Sequence, residues 1–296
     1  MDMLKIKISN LELKNPLMLA SGILGSYSSS LNLIAKEAGA VVTKSVGLKP
    51  RKGYKNPCVI NLSCGILNAV GLASPSAEDF SSELLKFKKV CPLIVSLYAS
   101  NPDEFVRLID YFPMADGFEL NLSCPHAKGY GLEIGRDENL VKRIVRAVKN
   151  VTDKPVFVKL SSNMDIVKIG KICEKAKADG VVAINTVKGI AIDIISKKPI
   201  LSNISGGLSG EAIKPIALKC VWDLFDELKI PIIGCGGISN WRDVVEFILA
   251  GASAVQIGSA FFYSYNSIKH IKEGLESYLR INRCTVDDLI GLAHRS

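Results

Sequence analysis

No apolar run in the 296 residues approaches the ~18–20 residues that a bilayer core requires, so no membrane span is expected. The opening stretch MDMLKIKISNLELKNP lacks the continuous apolar core and small-residue cleavage site of a signal peptide. It alternates polar and apolar residues like a pair of strands instead, and the expected compartment is the cytoplasm. Cysteine is present at 58, 64, 91, 124, 173, 220, 235 and 284, but no two stand in C-x-x-C spacing. A zinc site or a local iron–sulfur site is therefore not indicated, and no metal is expected. Most of these thiols should be reduced and buried as small hydrophobes. The G-x-G-x-x-G strand–turn–helix fingerprint of a dinucleotide site is also missing. Charged residues make up only 22% against 48% hydrophobic, which excludes a disordered chain and permits a sizeable core. The net charge of +8 is spread over the sequence, with one short dense patch, KPRKGYK at 49–55. A diffuse positive field suits anionic small molecules as well as RNA, and a solvated basic surface is the plainer reading; no nucleic-acid partner is expected.

What is present is a regular alternation. Short apolar, β-branched runs at 17–20, 40–43, 93–97, 117–121, 155–160, 181–184, 231–234 and 254–257 read as strands. Between them, segments such as 103–112, 137–150, 164–178, 211–228 and 240–250 carry apolar residues at three- and four-residue spacing, as helices do. Asn240 precedes WRDVVEFILAG and Gly251 stops it, which is helix-capping chemistry. Eight alternating units predict an α/β fold, a (β/α)8 TIM barrel built on a parallel sheet, as a single domain over 1–296. Two connections, 44–75 after the second strand and 185–210 after the sixth, are too long for turns and read as lids or binding loops.

Barrel enzymes keep their chemistry at the C-terminal ends of the strands. Those ends carry Ser21-Gly22, Lys44-Ser45, Ser96, Asn121, Lys159, Asn185-Thr186, Gly236-Gly237 and Gly258-Ser259. Each alone is ordinary turn chemistry; together they suit a flat, hydrogen-bonding, anionic ligand. CGGIS (235–239) and IGSAFF (257–262) place glycines between strand and helix, where backbone N–H groups and a helix N-terminus can hold a phosphate. Loops after strands seven and eight are the usual phosphate grip of this barrel. GGLSG (206–210) adds a third glycine-rich segment. In FELNLSCPHAKGYG (118–131) Asn121 ends a strand and Cys124 follows three residues on, presenting an amide and a thiol at the mouth. A thiol with a pKa near 8.5 needs only a modest depression from nearby lysines to serve as a base. The same tetrapeptide NLSC recurs at 61–64; Cys64 there has no strand immediately before it, so geometry favours Cys124, although the sequence does not place Cys64 outside the pocket.

The ordered set TKS (43–45), NAVGL (68–72), LNLSCPH (120–126), VKLS (158–161), INT (184–186), GGLSG-x-AIKPIAL (206–218), PIIGCGGI (231–238) and AGASAVQIGSA (250–260) resembles class 1 dihydroorotate dehydrogenases over nearly the whole chain. The NAVGL loop and the GGLSG-x-AIKPIAL run look most like the NAD-linked 1B branch. The resemblance implies one FMN per chain, contacted by Ser21, Lys44, Ser45, Asn121, Lys159, Ile184, Gly210, Gly236, Gly237, Gly258 and Ser259. It implies dihydroorotate contacts from Lys44, Asn68, Ala69, Val70, Gly71, Leu72, Asn121, Asn185 and Thr186, and Cys124 as catalytic base. The membrane-bound class 2 enzymes usually carry serine at that position. Oxidation of dihydroorotate to orotate, a step towards UMP, is the implied activity. The 1B branch further implies a partner subunit carrying FAD and a [2Fe–2S] cluster that delivers electrons to NAD, in a heterotetramer built on a homodimer.

Three positions depart from the family pattern. Ser96 stands where 1B members often have asparagine near the flavin, His126 replaces the usual asparagine after CP, and GS replaces GT after the last strand. A histidine two residues from the base could tune its pKa or point outward, the plainer reading. The loop 125–135 carries three glycines and is a candidate lid over Cys124. Alternatives left by the residues are a fumarate-using 1A enzyme, a flavin-dependent tRNA dihydrouridine synthase, and a Schiff-base aldolase using Lys159 or Lys44.

Overall fold

Each of the eight apolar runs forms one strand of a closed parallel barrel in the computed structural model, which describes residues 3–123 and 132–295. The barrel strands are Leu17–Leu19, Ala40–Val42, Leu93–Leu97, Gly117–Asn121, Val156–Lys159, Gly180–Ala183, Ile232–Cys235 and Ala254–Ile257. They neighbour one another in sequence order, and Val255 opposite Leu17 closes the ring. Almost every strand residue is buried, because a parallel barrel covers one face with helices and fills the other with its own side chains.

The helices between the strands form for local reasons. Pro102–Tyr111 starts with proline in its first turn, Asn101 Oδ1 accepts the Glu104 N–H at 3.0 Å, and Phe105, Leu108 and Ile109 face the barrel. Glu138–Lys149 is capped by Asp137 and buries Val141, Ile144, Val145 and Val148 at the three- and four-residue spacing read in the sequence. Trp241–Leu249 begins in a reciprocal capping box between Asn240 and Asp243, and Gly251, at φ +109°, follows its end.

The N-terminal strand pair is present as Ile6–Ile8 against Leu11–Leu13. The two long connections follow the second and sixth strands as read, and they carry strands that pair with one another: Val187–Ile190, Ser205–Ser209, Gly65–Asn68 and Val59–Leu62 form, in that order, one antiparallel sheet. Leu67, Ala69 and Leu201 form a small apolar cluster beneath it, backed by Tyr54, Ile60 and Leu208. These strands escaped the sequence reading because they are short, and their pairing joins segments far apart in the chain. The expectation that no strand orients Cys64 is corrected as well: Val59–Leu62 ends two residues before it, and Cys64 sits exposed in the turn to Gly65–Asn68.

Candidate active site

The strand ends enclose a cavity of about 310 Å³ at the C-terminal face of the barrel, near the lower end of the ~300–1,000 Å³ range of ligand sites. Its wall contains Ser21, Lys44, Ser45, Asn121, Lys159, Ile184, Gly236, Gly237, Gly258 and Ser259. Asn68, Val70, Gly71, Leu72, Asn185 and Thr186 complete one side. Two residues of the expected set stand back from it. Gly210, at φ +102°, packs against Gly65, where a Cβ would meet the Gly65 Cα at 2.7 Å. Ala69 is buried in the apolar cluster under the small sheet. Cys64 is not part of the wall. Cys124, His126 and the candidate lid up to residue 131 lie outside the described residues.

A chain of hydrogen bonds ties the strand ends together. Ser45 Oγ meets Ser21 Oγ at 3.1 Å and Ser96 Oγ at 2.9 Å, and accepts from Asn121 Nδ2 at 3.1 Å. Asn121 Oδ1 accepts from the Ser123 hydroxyl at 3.3 Å, and Asn185 Nδ2 donates to Ser123 Oγ at 3.0 Å. The main chain is therefore held on both sides as far as Ser123, the residue before Cys124. Ser96 is fully buried and is not in the cavity wall, but it hydrogen-bonds Ser45 and Glu119, which are.

The 68–72 segment is braced from beneath. Arg51 Nε donates to Gly71 O at 2.7 Å, and Tyr54 N donates to Val70 O at 3.1 Å. Arg51 and Ser74 exchange backbone hydrogen bonds at 2.9 and 3.0 Å. Leu72 adopts the left-handed conformation at φ +57°, which costs about 1–2 kcal/mol for an L-residue and needs such a frame to persist. The basic run 49–55 is thus only partly a solvated surface: its lysines are exposed, while Arg51 and Tyr54 are half-buried against this loop.

On the opposite side the glycine loops are built as the sequence suggested. Gly236 and Gly237 have φ +133° and +72°. A Cβ on Gly237 would lie 2.8 Å from the Lys214 backbone nitrogen, so only glycine fits. Asp243 holds this loop. Its Oδ2 accepts from Ser239 N at 2.8 Å, Ser239 Oγ at 3.0 Å, Asn240 N at 3.0 Å and Asn240 Nδ2 at 2.9 Å, while Oδ1 takes Lys214 Nζ at 2.8 Å. Burial alone would push the Asp243 carboxyl up, but the Lys214 ammonium and the Ser239 and Asn240 donors together hold it below the ordinary carboxylate value. Glycine loops after strands seven and eight, a buried lysine and a polar floor fit a flat ring system carrying a phosphate. An open space supports that fit: a Cβ on Gly22 would meet nothing within 4 Å.

Sequence reasoning missed two buried polar residues of the wall, Glu119 and Gln256. Gln256 accepts from Lys159 Nζ at 2.5 Å and donates to Glu119 Oε2 at 2.7 Å. The available signal was a carboxylate inside the apolar run GFELN and an amide inside AVQI.

Fold and site together define a (β/α)8 barrel whose mouth gathers glycine loops, amides and lysines around one cavity. Residues 3–279 match the family model of dihydroorotate dehydrogenase, and the chain belongs to that family. It is 55% identical over 298 residues to the Archaeoglobus fulgidus dihydroorotate dehydrogenase B (NAD(+)) catalytic subunit, covering 99% of this chain and 100% of the relative. The catalytic subunit of the same name from Pyrococcus furiosus is 53% identical, with 99% of each chain covered. The likeness is thus to the 1B branch. A solved structure of DHODH from Eimeria tenella in complex with ferulenol superposes with a TM-score of 0.86 at 24% identity, over 99% of this chain and 89% of that one, which bears on the fold.

Proposed function

We propose that this chain oxidises (S)-dihydroorotate to orotate in de novo pyrimidine biosynthesis, as a single catalytic domain with one FMN. It acts in the cytoplasm as the catalytic subunit of a 1B assembly. Electrons pass to NAD through the FAD and [2Fe–2S] cluster of a partner subunit, in a heterotetramer built on a homodimer. Among the described residues, no helix is long and apolar enough to cross a membrane. The observation that carries the reading is the convergence of Lys44, Asn121, Asn185 and the 68–72 loop on the mouth that also holds the glycine grip.

Gly236, Gly237, Gly258 and Ser259 would hold the FMN phosphate, and Ser21, Ser45, Asn121, Lys159 and Ile184 its ring system. Bound there, FMN supplies the two-electron acceptor for the hydride that leaves C6. The chain's own residues do the rest. Lys44 neutralises the orotate carboxylate. The amides of Asn68, Asn121 and Asn185 offer both donors and acceptors to a ring that needs both. Thr186 and the backbone of 69–72 close that side. Cys124 follows Ser123, which two asparagines fix, and takes the C5 proton as thiolate.

The test is anaerobic. The purified chain, loaded with FMN, is mixed with dihydroorotate and its visible spectrum followed. Bleaching with one orotate formed per flavin is expected. Cys124→Ser should slow it by orders of magnitude at neutral pH with FMN retained, and Cys64→Ser should leave it nearly unchanged. A yellow protein that does not bleach, or equal losses in both variants, overturns the assignment.

A further inference from the structure

Among the buried side chains of the barrel strands runs a line of polar groups at the cavity. Glu119 sits on the fourth barrel strand, 1% exposed and two residues before Asn121, so both side chains point inward. Gln256, on the eighth strand, is 1% exposed, and Lys159, ending the fifth, is 5% exposed. Lys159 Nζ donates to Gln256 Oε1 at 2.5 Å, and Gln256 Nε2 donates to Glu119 Oε2 at 2.7 Å. The other oxygen, Oε1, accepts from Ser96 Oγ at 3.4 Å.

The chemistry of the two ends fixes the middle. An ammonium can only donate and a carboxylate can only accept, so the Gln256 amide has one usable orientation, oxygen to Lys159 and nitrogen to Glu119. A buried ammonium without a countercharge is strongly destabilising, and a buried carboxylate equally so. Here the opposite charges are joined through one polarised amide rather than in contact. All three residues line the cavity.

The geometry points to Glu119 as a positioning residue: acting through Gln256, it holds Lys159 at the cavity wall and offsets part of its positive field there. Resting on the reading that Lys159 meets the flavin, this makes Glu119 a brake on the reduction potential. A negative charge arriving beside Lys159 is stabilised by the ammonium, and the carboxylate behind Gln256 subtracts from that stabilisation.

Two measurements decide it. The first uses the apoprotein and needs no cofactor: the melting temperatures of Glu119→Gln, Lys159→Met and the double variant form a cycle. Coupling is expected, with the double variant melting above the temperature that adding the two single losses gives, because removing both charges leaves neither unpaired. Additive losses overturn the link. The second equilibrates FMN-loaded Glu119→Gln, a near-isosteric change, with a reference dye. An upward shift of at least tenfold in the reduced-to-oxidised ratio is expected, about 30 mV for a two-electron couple. A potential unmoved or lowered with FMN still bound overturns the brake. A chain that takes up no FMN sinks the flavin reading and the brake with it, while the apoprotein cycle still decides the link.

Discussion

Asp243 is the residue on which the phosphate-side loop hangs, and replacing it with asparagine has a calculable consequence. The carboxylate is 4% exposed and collects five donors: four on Oδ2 from Ser239 and Asn240, and the Lys214 ammonium on Oδ1. Asparagine has a single acceptor oxygen, so its NH2 must face either the loop donors or Lys214. Losing one buried charge-assisted hydrogen bond costs about 1.5–3 kcal/mol, and a donor facing donors adds to that. The full ~3–5 kcal/mol of an abandoned buried charge does not apply, because Lys214 keeps Glu246 at 2.9 Å. A net loss of about 3 kcal/mol follows. With ~2.1 cal/mol/K of unfolding entropy per residue over 296 residues, that is a fall in Tm of about 5 °C. Loosening the 236–240 turn should also weaken FMN binding on the order of tenfold, about 1.4 kcal/mol. The pH dependence has a definite sign. The folded carboxyl titrates below its ordinary value of 3.8, so its contribution is complete above that pH and lost as pH falls through the lowered value. The gap between wild type and variant should therefore be equal at pH 7 and pH 5 and narrow only in stronger acid. Thermal melts across that range, with flavin titration at pH 7, measure both. A variant melting within about 1 °C of wild type, or a gap that already closes by pH 5, would refute the reasoning.

Arg51→Met keeps the aliphatic stem of the side chain but removes the donor to Gly71 O. Raising KM for dihydroorotate about five- to tenfold, roughly 1–1.4 kcal/mol, with kcat changed less than twofold, is expected if Arg51 only shapes the 68–72 loop; a fall in kcat with KM unchanged contradicts it. The thiols should separate by burial: Cys64 is exposed, while burial pushes the Cys91 and Cys173 thiols up to about 12. Iodoacetamide at pH 8, read by peptide mass mapping, should modify Cys64 and spare Cys91 and Cys173, whose thiolate fraction there is about one in ten thousand. Labelling of Cys173 in the native protein would show that its burial is wrong.

The legible and illegible parts of this molecule divide along one physical line. A barrel strand buried on both faces writes itself as a local apolar run, and the residue leaving it at the C-terminal end is fixed in direction by the strand. Hence Lys44, Asn121, Lys159 and Asn185 could be named from spacing alone, and closure of the barrel brought them to one cavity. Ala69 and Gly210, named with their motifs, stand back from the cavity wall, one with its side chain in the cluster under the small sheet and the other against Gly65. That sheet left no local signature, since four strands of four or five residues gain their order only by pairing across the chain. Glu119 and Gln256 were hidden for a related reason. Inside GFELN a carboxylate reads as the polar half of an alternating strand, and its partner Gln256 stands on the eighth strand, which only the closed ring brings across from the fourth. A charged residue in a strand whose every position is buried is nonetheless a signal with physical content, because such a charge must find a countercharge across the barrel. Searching the other inward-facing positions for an ammonium and a bridging amide leads to Lys159 and Gln256, and so ties the lysine at the cavity wall to a carboxylate one strand away.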